Sequence, residues 1–246
     1  MITNKIELNS VSKTFGTKQV LSKVSLLIKP NERWAIVGRS GEGKSVLLRI
    51  MIGLTPADSG DIQIDGVKVL PLNTKSGITI AQKIGFVFQQ AALFDSMTVL
   101  ENITIRLAEE NTYDESMRYQ IALRLLAEVG LDSSIIHRYP AELSGGMRKR
   151  VGIARAIAHQ PNLLLCDEPT SGLDPVTAKA IDTLILELSQ KQKLTTILVT
   201  HFIQSIRTVA THVAHLYQGK FIFCGNTSDY WGHPHPEIQQ FVQHSY

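Results

Sequence analysis

Apolar and polar residues alternate along the first thirty positions of the chain. In residues 4–9 and 19–29 the apolar side chains recur at every second position, which predicts two half-exposed antiparallel strands. Shorter runs at 34–37 and 84–88 are almost wholly apolar and predict buried strands, and glycines bracket a further predicted strand at 60–66. A turn at Pro30-Asn31 leads into the strand at 34–37, since Asn tolerates the left-handed backbone that such a turn needs.

The pattern changes after Gln89. From Val99 to about His159 the apolar residues recur at helical spacing, and one helix is predicted to stop at Gly130. Strand and helix then alternate, with strands at 163–166, 195–199 and around 213–223, and helices at 175–192 and 202–210. We expect one α/β domain, divided into a parallel core with an antiparallel β subdomain (about 1–90 and 160–225), an inserted α-helical subdomain (about 91–159) and a tail with a short terminal helix (about 226–246).

Composition narrows the possible functions. A chain of 246 residues with 43% hydrophobic residues can bury one sizeable core. The net charge is +3 and the basic residues are scattered, so we expect no nucleic-acid partner. Two cysteines make no disulfide framework. No apolar run approaches about 18 residues and residues 1–5 contain no apolar segment, so we expect neither a membrane span nor a signal peptide.

Residues 38–45, GRSGEGKS, fit the phosphate-binding pattern G-x-x-x-x-G-K-[ST] between a predicted buried strand and a predicted helix. Lys44 is predicted to reach the β- and γ-phosphates, and the Ser45 hydroxyl to ligate Mg²⁺. The helix that starts there adds its positive dipole end. Backbone N–H groups can turn inward because the loop contains three glycines, Gly38, Gly41 and Gly43. The motif predicts nucleotide binding, yet transporters, kinases and GTPases share it.

A second motif ends the apolar strand at 163–166 in two carboxylates. Asp167 is predicted to hold the water shell of Mg²⁺, and Glu168 to orient and deprotonate an attacking water. Two acids at the end of a strand are otherwise often only solvated, but a phosphate loop in the same chain favours the catalytic interpretation. Cys166 is predicted to be a small buried strand residue.

A third motif, LSGGM at 143–147, precedes a predicted helix. Locally, Ser144 is a good N-cap, and Gly145 and Gly146 suit a turn. A capped helix N-terminus with bare glycine N–H groups is also an anion site. Since two such helix ends cannot easily serve one nucleotide within one chain, two chains arranged head to tail are expected to close two shared sites.

Together these motifs resemble the nucleotide-binding subunit of ABC transporters, over residues 5–225 and in the family's order. The resemblance identifies residues 38–45 as the Walker A motif, 163–168 as Walker B, LSGGM as the signature and 171–174 as the D-loop. It implies ATP and Mg²⁺ as cofactors and a P-loop NTPase core. The implied catalytic residues are Glu168, the switch histidine His201 and the Q-loop residue Gln89, and the implied metal ligands are Ser45, Gln89 and Asp167. The implied nucleotide-binding residues are Phe15 (which could also be a core aromatic), Gly38, Ser40, Gly41, Gly43, Lys44, Ser45, Val46, Ser144, Gly145, Gly146 and Asp174.

Two segments, 88–103 and 144–157, resemble more narrowly the ATPase of Mce/Mla-type phospholipid transporters. This resemblance implies a homodimer with ATP sandwiched between its chains, an integral-membrane permease, an Mce-domain lipid-binding protein and a STAS-domain subunit. The chain would then sit at the cytoplasmic face of the inner membrane, held there by the permease. The lead-in at 140–143 suits importers of amino acids, ions or other small solutes as well. Soluble ABC proteins of DNA repair or translation usually carry two ATPase halves or a long coiled coil, which this sequence does not contain.

Some positions depart from the family pattern or suggest other sites. Glu42 stands in the phosphate loop where Ser is usual, so its carboxylate must point away from the phosphates. Met147, Val46 and Phe202 also replace the commoner Gln, Thr and Asp. The histidines at 233 and 235 are too few for a metal site, and we interpret them as part of the tail. The basic run at 148–150 is interpreted as a solvated helix face.

Overall fold

The computed structural model describes residues 5–109 and 112–244. The predicted absence of a leader at residues 1–5 falls largely on residues 1–4, which lie outside the described residues. In chain order the strands are β1 Ile6–Phe15, β2 Lys18–Ile28, β3 Arg33–Val37, β4 Ser59–Ile64, β5 Val67–Lys68, β6 Ile84–Val87, β7 Leu163–Asp167, β8 Thr195–Val199, β9 His212–Tyr217 and β10 Lys220–Asn226. The α-helices are α1 Lys44–Met51, α2 Lys75–Ala81, α3 Val99–Ala108, α4 Glu115–Glu128, α5 Gly145–Ile157, α6 Pro175–Lys191, α7 Ile203–Val209, α8 Thr227–Trp231 and α9 Pro236–His244.

The strands form two sheets. The smaller sheet has the order β2-β1-β4-β5 and is antiparallel, as the alternating N-terminal pattern predicts. β1 continues to Phe15, beyond the predicted end at residue 9, because irregularities after Leu8 and Val11 break the alternation while the pairing with β2 goes on. At the far end of β1, Lys13 is buried and its ammonium lies 2.7 Å from the Asp58 carboxylate.

The larger sheet has the order β10-β9-β3-β8-β7-β6, and all of its pairings are parallel except that of β9 with β10. β7 and β8 are buried along their whole length, which explains their continuous apolar sequences. Since the carboxyl ends of parallel strands lie at one edge, the segments that follow β3, β6, β7 and β8 meet there. These segments contain the phosphate loop, Gln89, Glu168 and His201.

Helices α3, α4 and α5 lie between β6 and β7 in the chain and pack on one another around Ile103, Leu126 and Val151. Two 3₁₀ turns, Ser133–Ile135 and Pro140–Glu142, connect α4 to α5. We interpret this group as the predicted helical subdomain. The short helix α2 and strand β5 are not predicted by the sequence pattern.

The C-terminal segment differs from the predicted single helix and tail. Residues 227–231 and 236–244 form two helices, and Tyr230, Ile238 and Phe241 are buried against Val37 of β3 and Val213 of β9. The packing buries aromatic and aliphatic side chains that the sequence pattern alone had placed in a tail. Residues 245–246 lie outside the described part of the chain.

Candidate active site

The phosphate loop connects β3 to α1 with a backbone that requires glycine at two close contacts. Gly38 has φ of 147°, and a Cβ there would lie 2.3 Å from the Leu216 carbonyl oxygen. Gly43, the residue before α1, has φ of 99°, and a Cβ there would lie 2.5 Å from Cγ1 of Val20. The loop can therefore pack closely against β9 and β2 only because glycine has no side chain at these two positions.

Lys44 is buried and turned back onto this loop. Its ammonium donates to the carbonyl oxygens of Gly38 at 2.9 Å and Arg39 at 2.8 Å. Burial lowers the pKa of the Lys44 ammonium, although the carboxylates of Glu168, Asp167 and Glu42 act in the opposite direction. The charge thus lies within the loop, where phosphate oxygens could replace the two carbonyls.

A hydrogen bond joins the Walker A residue Ser45 to the Walker B residue Asp167. Ser45 donates through its hydroxyl to Asp167 at 2.7 Å, and Asp167 is 8% exposed. Burial raises the pKa of Asp167, opposed by the Ser45 hydrogen bond. A hydroxyl and a carboxylate side by side are the hard oxygen donors that Mg²⁺ prefers, so these two residues fit that ion.

Glu168 lies between two polar side chains. Its Oε1 is 3.3 Å from Nδ1 of His201, and its Oε2 accepts from Nε2 of Gln89, also at 3.3 Å. The hydrogen bond with His201 is the main cause of a lowered pKa for the Glu168 carboxyl, so the carboxylate is ionised near neutral pH. Its backbone has φ of 45°, a conformation that a non-glycine residue adopts at a cost and that recurs at functional sites. Such a carboxylate can accept a proton from water.

The basic run at 148–150 is solvated only in part, since Arg148 is exposed whereas Lys149 is buried. Lys149 is 7% exposed and donates to the backbone carbonyl of Gln89. Arg148 donates to the Leu143 carbonyl oxygen, and Arg150 to that of Val129. Each of the three side chains thus donates to a backbone carbonyl, whether it is exposed or buried.

The signature begins α5 as predicted. Ser144 is its N-cap and accepts from the Met147 N–H at 3.2 Å. A Cβ at Gly146 would lie 2.9 Å from Cγ2 of Thr177, so the glycine allows α6 to approach. Gly145 lines a hollow of about 400 Å³ together with Gln89, Lys149 and the D-loop residues 171–173.

The remaining predicted nucleotide-binding residues lie in several places. Ser40 and Gly41 are exposed on the phosphate loop, and Val46, in the first turn of α1, packs partly buried against the core. Phe15 ends β1 and is 50% exposed, with the Lys13 ammonium 5.3 Å from its ring centroid, so it is not a core aromatic. Asp174 caps α6, accepting from the N–H groups of Val176 and Thr177 at 3.0 Å each.

The acidic residue of the phosphate loop turns away from it, as expected. Oε2 of Glu42 accepts from the backbone N–H of Gln218 at 2.6 Å, in the turn between β9 and β10.

Cys166 is fully buried, as predicted, and burial raises the pKa of its thiol, which therefore stays protonated.

The fold and this set of motifs define an ABC-type ATPase domain. The sequence profile of the ABC transporter family, described as "ABC transporter", matches residues 21–171. The chain therefore belongs to this family, whose members bind ATP. A solved structure, the dimeric ATP-binding cassette MJ0796 bound to ADP and Pi, superposes with a TM-score of 0.83 at 33% identity, covering 90% of this chain and 98% of that one.

Curated relatives differ in the cargo that their names state. The "Methionine import ATP-binding protein MetN" of Carboxydothermus hydrogenoformans is 41% identical over 91% of this chain. The "Probable ribonucleotide transport ATP-binding protein mkl" of Mycobacterium tuberculosis is 37% identical over 96% of it. The chain spans 66% of the length of each of these two relatives. The protein "TRIGALACTOSYLDIACYLGLYCEROL 3, chloroplastic" of Arabidopsis thaliana is 36% identical over 96% of this chain and 73% of its own length.

Across residues 5–109 and 112–244, none of the helices combines the length and apolar character needed to cross a membrane.

Two contacts of the site were not predicted from the sequence. The Lys149 ammonium holds the Gln89 backbone, and Arg39 in the phosphate loop pairs with Glu237 of α9. A basic run has the same appearance whether it faces solvent or carbonyl groups, and the partner of Arg39 lies 198 residues away.

Proposed function

We propose that this chain is the ATP-hydrolysing subunit of an ABC transporter that moves phospholipid. The observation that carries the hydrolytic part is the Glu168 carboxylate, set between His201 and Gln89 at 3.3 Å from each. The Ser45–Asp167 pair and the Lys44 ammonium lie on the neighbouring loops, so binding and proton-accepting groups share one edge of the sheet.

In the proposed reaction, Lys44 exchanges the carbonyls of Gly38 and Arg39 for β- and γ-phosphate oxygens. Gln89 and His201 orient a water molecule beside Glu168, which takes its proton as the water oxygen attacks the γ-phosphorus. The bond from that phosphorus to the oxygen bridging it to the β-phosphate breaks. The products are ADP and inorganic phosphate, and Glu168 then returns the proton to solvent.

Mg²⁺ would be held by the Ser45 hydroxyl and, through its water shell, by Asp167, with Gln89 as a further ligand. When bound, it would neutralise charge on the β- and γ-phosphates. Phe15 is proposed to stack on adenine, because its ring is half exposed at the end of β1 in the smaller sheet. Ser40, Gly41, Gly43 and Val46 complete the phosphate-binding turn.

We propose a homodimer in which each signature closes the partner chain's nucleotide site. Ser144 caps the N–H of Met147, while Gly145 and Gly146 present backbone without side chains at the same end of α5. That end suits an anion. The dimeric MJ0796 cassette, which shares the fold, supports two-chain assembly, and Asp174 would lie in the segment between the two sites.

The segment that follows Gln89 is suited to binding a permease. Phe94 is 48% exposed, although its backbone is fixed by two hydrogen bonds with Asn102, at 2.8 Å and 3.1 Å. Arg155 holds the carbonyl oxygens of Ala91 and Ala92. A rigid backbone that displays an aromatic ring favours a docking site for a helix of a membrane subunit. Through that subunit the chain would lie at the cytoplasmic face of the membrane.

Phospholipid is proposed as cargo on two grounds. The segments 88–103 and 144–157 resemble the Mce/Mla-type ATPases, and the Arabidopsis relative bears the name of a galactolipid. An Mce-domain lipid-binding protein and a STAS-domain subunit would then be further partners. The alternative is an importer of a small solute, favoured by the 41% identity to the methionine import protein. The mycobacterial relative is named for transport of ribonucleotides, which also favours a small solute.

The test is to purify the tagged chain from its native membranes in mild detergent, identify the proteins that accompany it and measure ATP hydrolysis. Co-purification of a permease and an Mce-domain protein, with hydrolysis stimulated by phospholipid, would support the proposal. Stimulation by a soluble amino-acid- or ion-binding protein instead would establish the importer alternative. Recovery of no membrane subunit at all would contradict transport.

A matched pair of variants locates the docking surface. Phe94→Ala removes the exposed ring from the proposed docking surface, whereas Ile78→Ala removes a side chain that is equally exposed, at 48%, on α2. We expect Phe94→Ala to lose the permease and Ile78→Ala to retain it. Equal retention by both variants would contradict the assignment of the docking surface.

A further inference from the structure

The two C-terminal helices pack beneath the phosphate loop. Phe241 of α9 lies edge-on to the ring of His215 at 5.1 Å, and Tyr230 of α8 shares a hydrogen bond with Nδ1 of His215 at 2.8 Å. His215 pairs across the sheet with Val37, the last residue before the loop, and the carbonyl oxygen of its neighbour Leu216 would clash with a Cβ at Gly38. The C-terminal helices therefore support the strand ends from which the loop leaves.

One side chain of the loop itself is bound by α9. Nε of Arg39 lies 2.6 Å from Oε1 of Glu237, and its Nη2 donates to Oε2 of Glu237 at 2.9 Å and to Oε1 of Gln240 at 2.6 Å. The Glu237 side chain is only 7% exposed, although half of the Arg39 side chain reaches solvent. A charge-assisted hydrogen bond from a guanidinium to a buried carboxylate is directional and less screened than an ordinary surface pair.

The sequence around α9 holds its first turn in place. His235, immediately before the helix, accepts through Nδ1 from the backbone N–H of Glu237 at 3.2 Å. His233 accepts in the same way from the N–H of His235 at 3.3 Å. The two histidines that the sequence had left without a role thus fix the backbone that carries Glu237.

The contact continues through the loop to the phosphate-binding lysine. The Arg39 side chain is held by α9, while the Arg39 carbonyl oxygen, together with that of Gly38, accepts from the Lys44 ammonium. The backbone of residues 38–39 is thus restrained from both sides before nucleotide arrives. Restraint of a loop in its binding conformation raises affinity, because less conformational freedom is lost on binding.

We propose that α9 holds the phosphate loop ready for ATP, and that Arg39 and Glu237 are positioning residues for nucleotide binding. The inference rests on ATP binding at residues 38–45. It assigns to the C-terminal segment a part in the nucleotide site, and it makes the affinity for ATP depend on a contact that touches no nucleotide.

The test measures ATP affinity, KM and kcat in parallel with the melting temperature. Arg39→Ala is expected to raise Kd and KM for ATP about tenfold, with kcat at saturating ATP changed less than about twofold. Arg39→Lys keeps the charge without the planar guanidinium and is expected to restore part of the affinity. Arg39→Ala combined with Glu237→Gln is expected to bind ATP better than Arg39→Ala alone, since no unpaired buried carboxylate remains.

A matched control is available in the same C-terminal unit. Arg207 lies over the Trp231 ring, 4.5 Å from its centroid, and so contacts α8 without touching the phosphate loop. Arg207→Ala is expected to leave Kd and KM unchanged. Measurements are made well below the melting temperature of every variant, so that a change in KM does not reflect unfolded protein.

The possible outcomes separate the inference from the function on which it rests. A lower melting temperature in Arg39→Ala and Glu237→Gln, with Kd and KM equal to those of the wild type, would reduce the contact to a structural one and overturn the inference. If Arg39→Ala does not fold, the same comparison is made with Glu237→Gln alone. Lys44→Ala serves as the reference, because ATP affinity retained in that variant would instead contradict nucleotide binding at the loop.

Discussion

Replacement of Glu168 by Gln tests the proposed general base most directly. The amide keeps the size of the carboxylate and can keep contacts with Gln89 and His201, which now lie 3.3 Å away. It cannot accept a proton at neutral pH. Because the hydrogen bond with His201 lowers the pKa of the Glu168 carboxyl, the wild-type group is ionised throughout the pH range in which hydrolysis would be measured.

The expected loss of rate follows from the role assigned to the carboxylate. Removing a positioned general base lowers a rate by about 10²–10⁴-fold, equivalent to about 3–5 kcal/mol in activation free energy. Binding should be spared, since loss of a negative charge near the phosphates cannot weaken the attraction for ATP. We therefore expect kcat to fall with little change in Kd, and ATP to accumulate in the closed dimer.

Phosphate release measures the rate, and size-exclusion chromatography with and without ATP and Mg²⁺ measures dimerisation. Glu128→Gln is the control, because Glu128 is a half-buried carboxylate that pairs with the exposed Lys191 at 3.0 Å. That variant should hydrolyse ATP at the wild-type rate and show no trapped dimer. Hydrolysis by Glu168→Gln within about threefold of the wild type would refute the general-base assignment. A variant that stays monomeric with ATP at high protein concentration would refute the shared nucleotide site.

Two further predictions concern the signature and a buried acid. Ser144→Arg places bulk and charge at the N-terminus of α5, so hydrolysis should be abolished while ATP binding stays near that of the wild type; affinity lost as completely as in Lys44→Ala would contradict this. Burial raises the pKa of Asp182 to about 6, against the effect of its hydrogen bond from Ser205. Because the folded state then binds the proton more tightly than the unfolded state, the free energy of unfolding should fall by about 2 kcal/mol between pH 4 and pH 7 relative to Asp182→Asn. Denaturant titrations of both proteins across that range check it, and parallel curves would contradict it.

The elements around the site are those that the sequence predicts best. β3, β7 and β8 are short apolar runs whose burial on both faces requires such a composition, and each is followed by a motif with a physical reason for its residues. The sequence pattern also places Ser144 at the start of a helix, since capping is a local property. It cannot show that Phe15 remains half exposed, because exposure depends on the rest of the fold.

The elements that were missed depend on contacts distant in the chain. α2 buries only Gly77 and Ile80, so its pattern carries little helical signal. The C-terminal helices are short and polar enough to resemble a tail, and what orders them is the surface formed by β3 and β9. Propensity over nine residues is too weak to stabilise α9 alone, so tertiary packing decides its existence.

The proposed link between nucleotide and permease depends on one helix. α5 begins with the signature residue Ser144 and holds two successive parts of the segment after β6, through the bond of Lys149 to Gln89 and those of Arg155 to Ala91 and Ala92. The same segment ends at the exposed ring of Phe94. In the proposed dimer, movement of α5 toward the partner's ATP must therefore move the Gln89 backbone and the exposed Phe94 ring as well. Lys149, which the sequence pattern had placed on a solvated face, thus joins the helix to the segment together with Arg155.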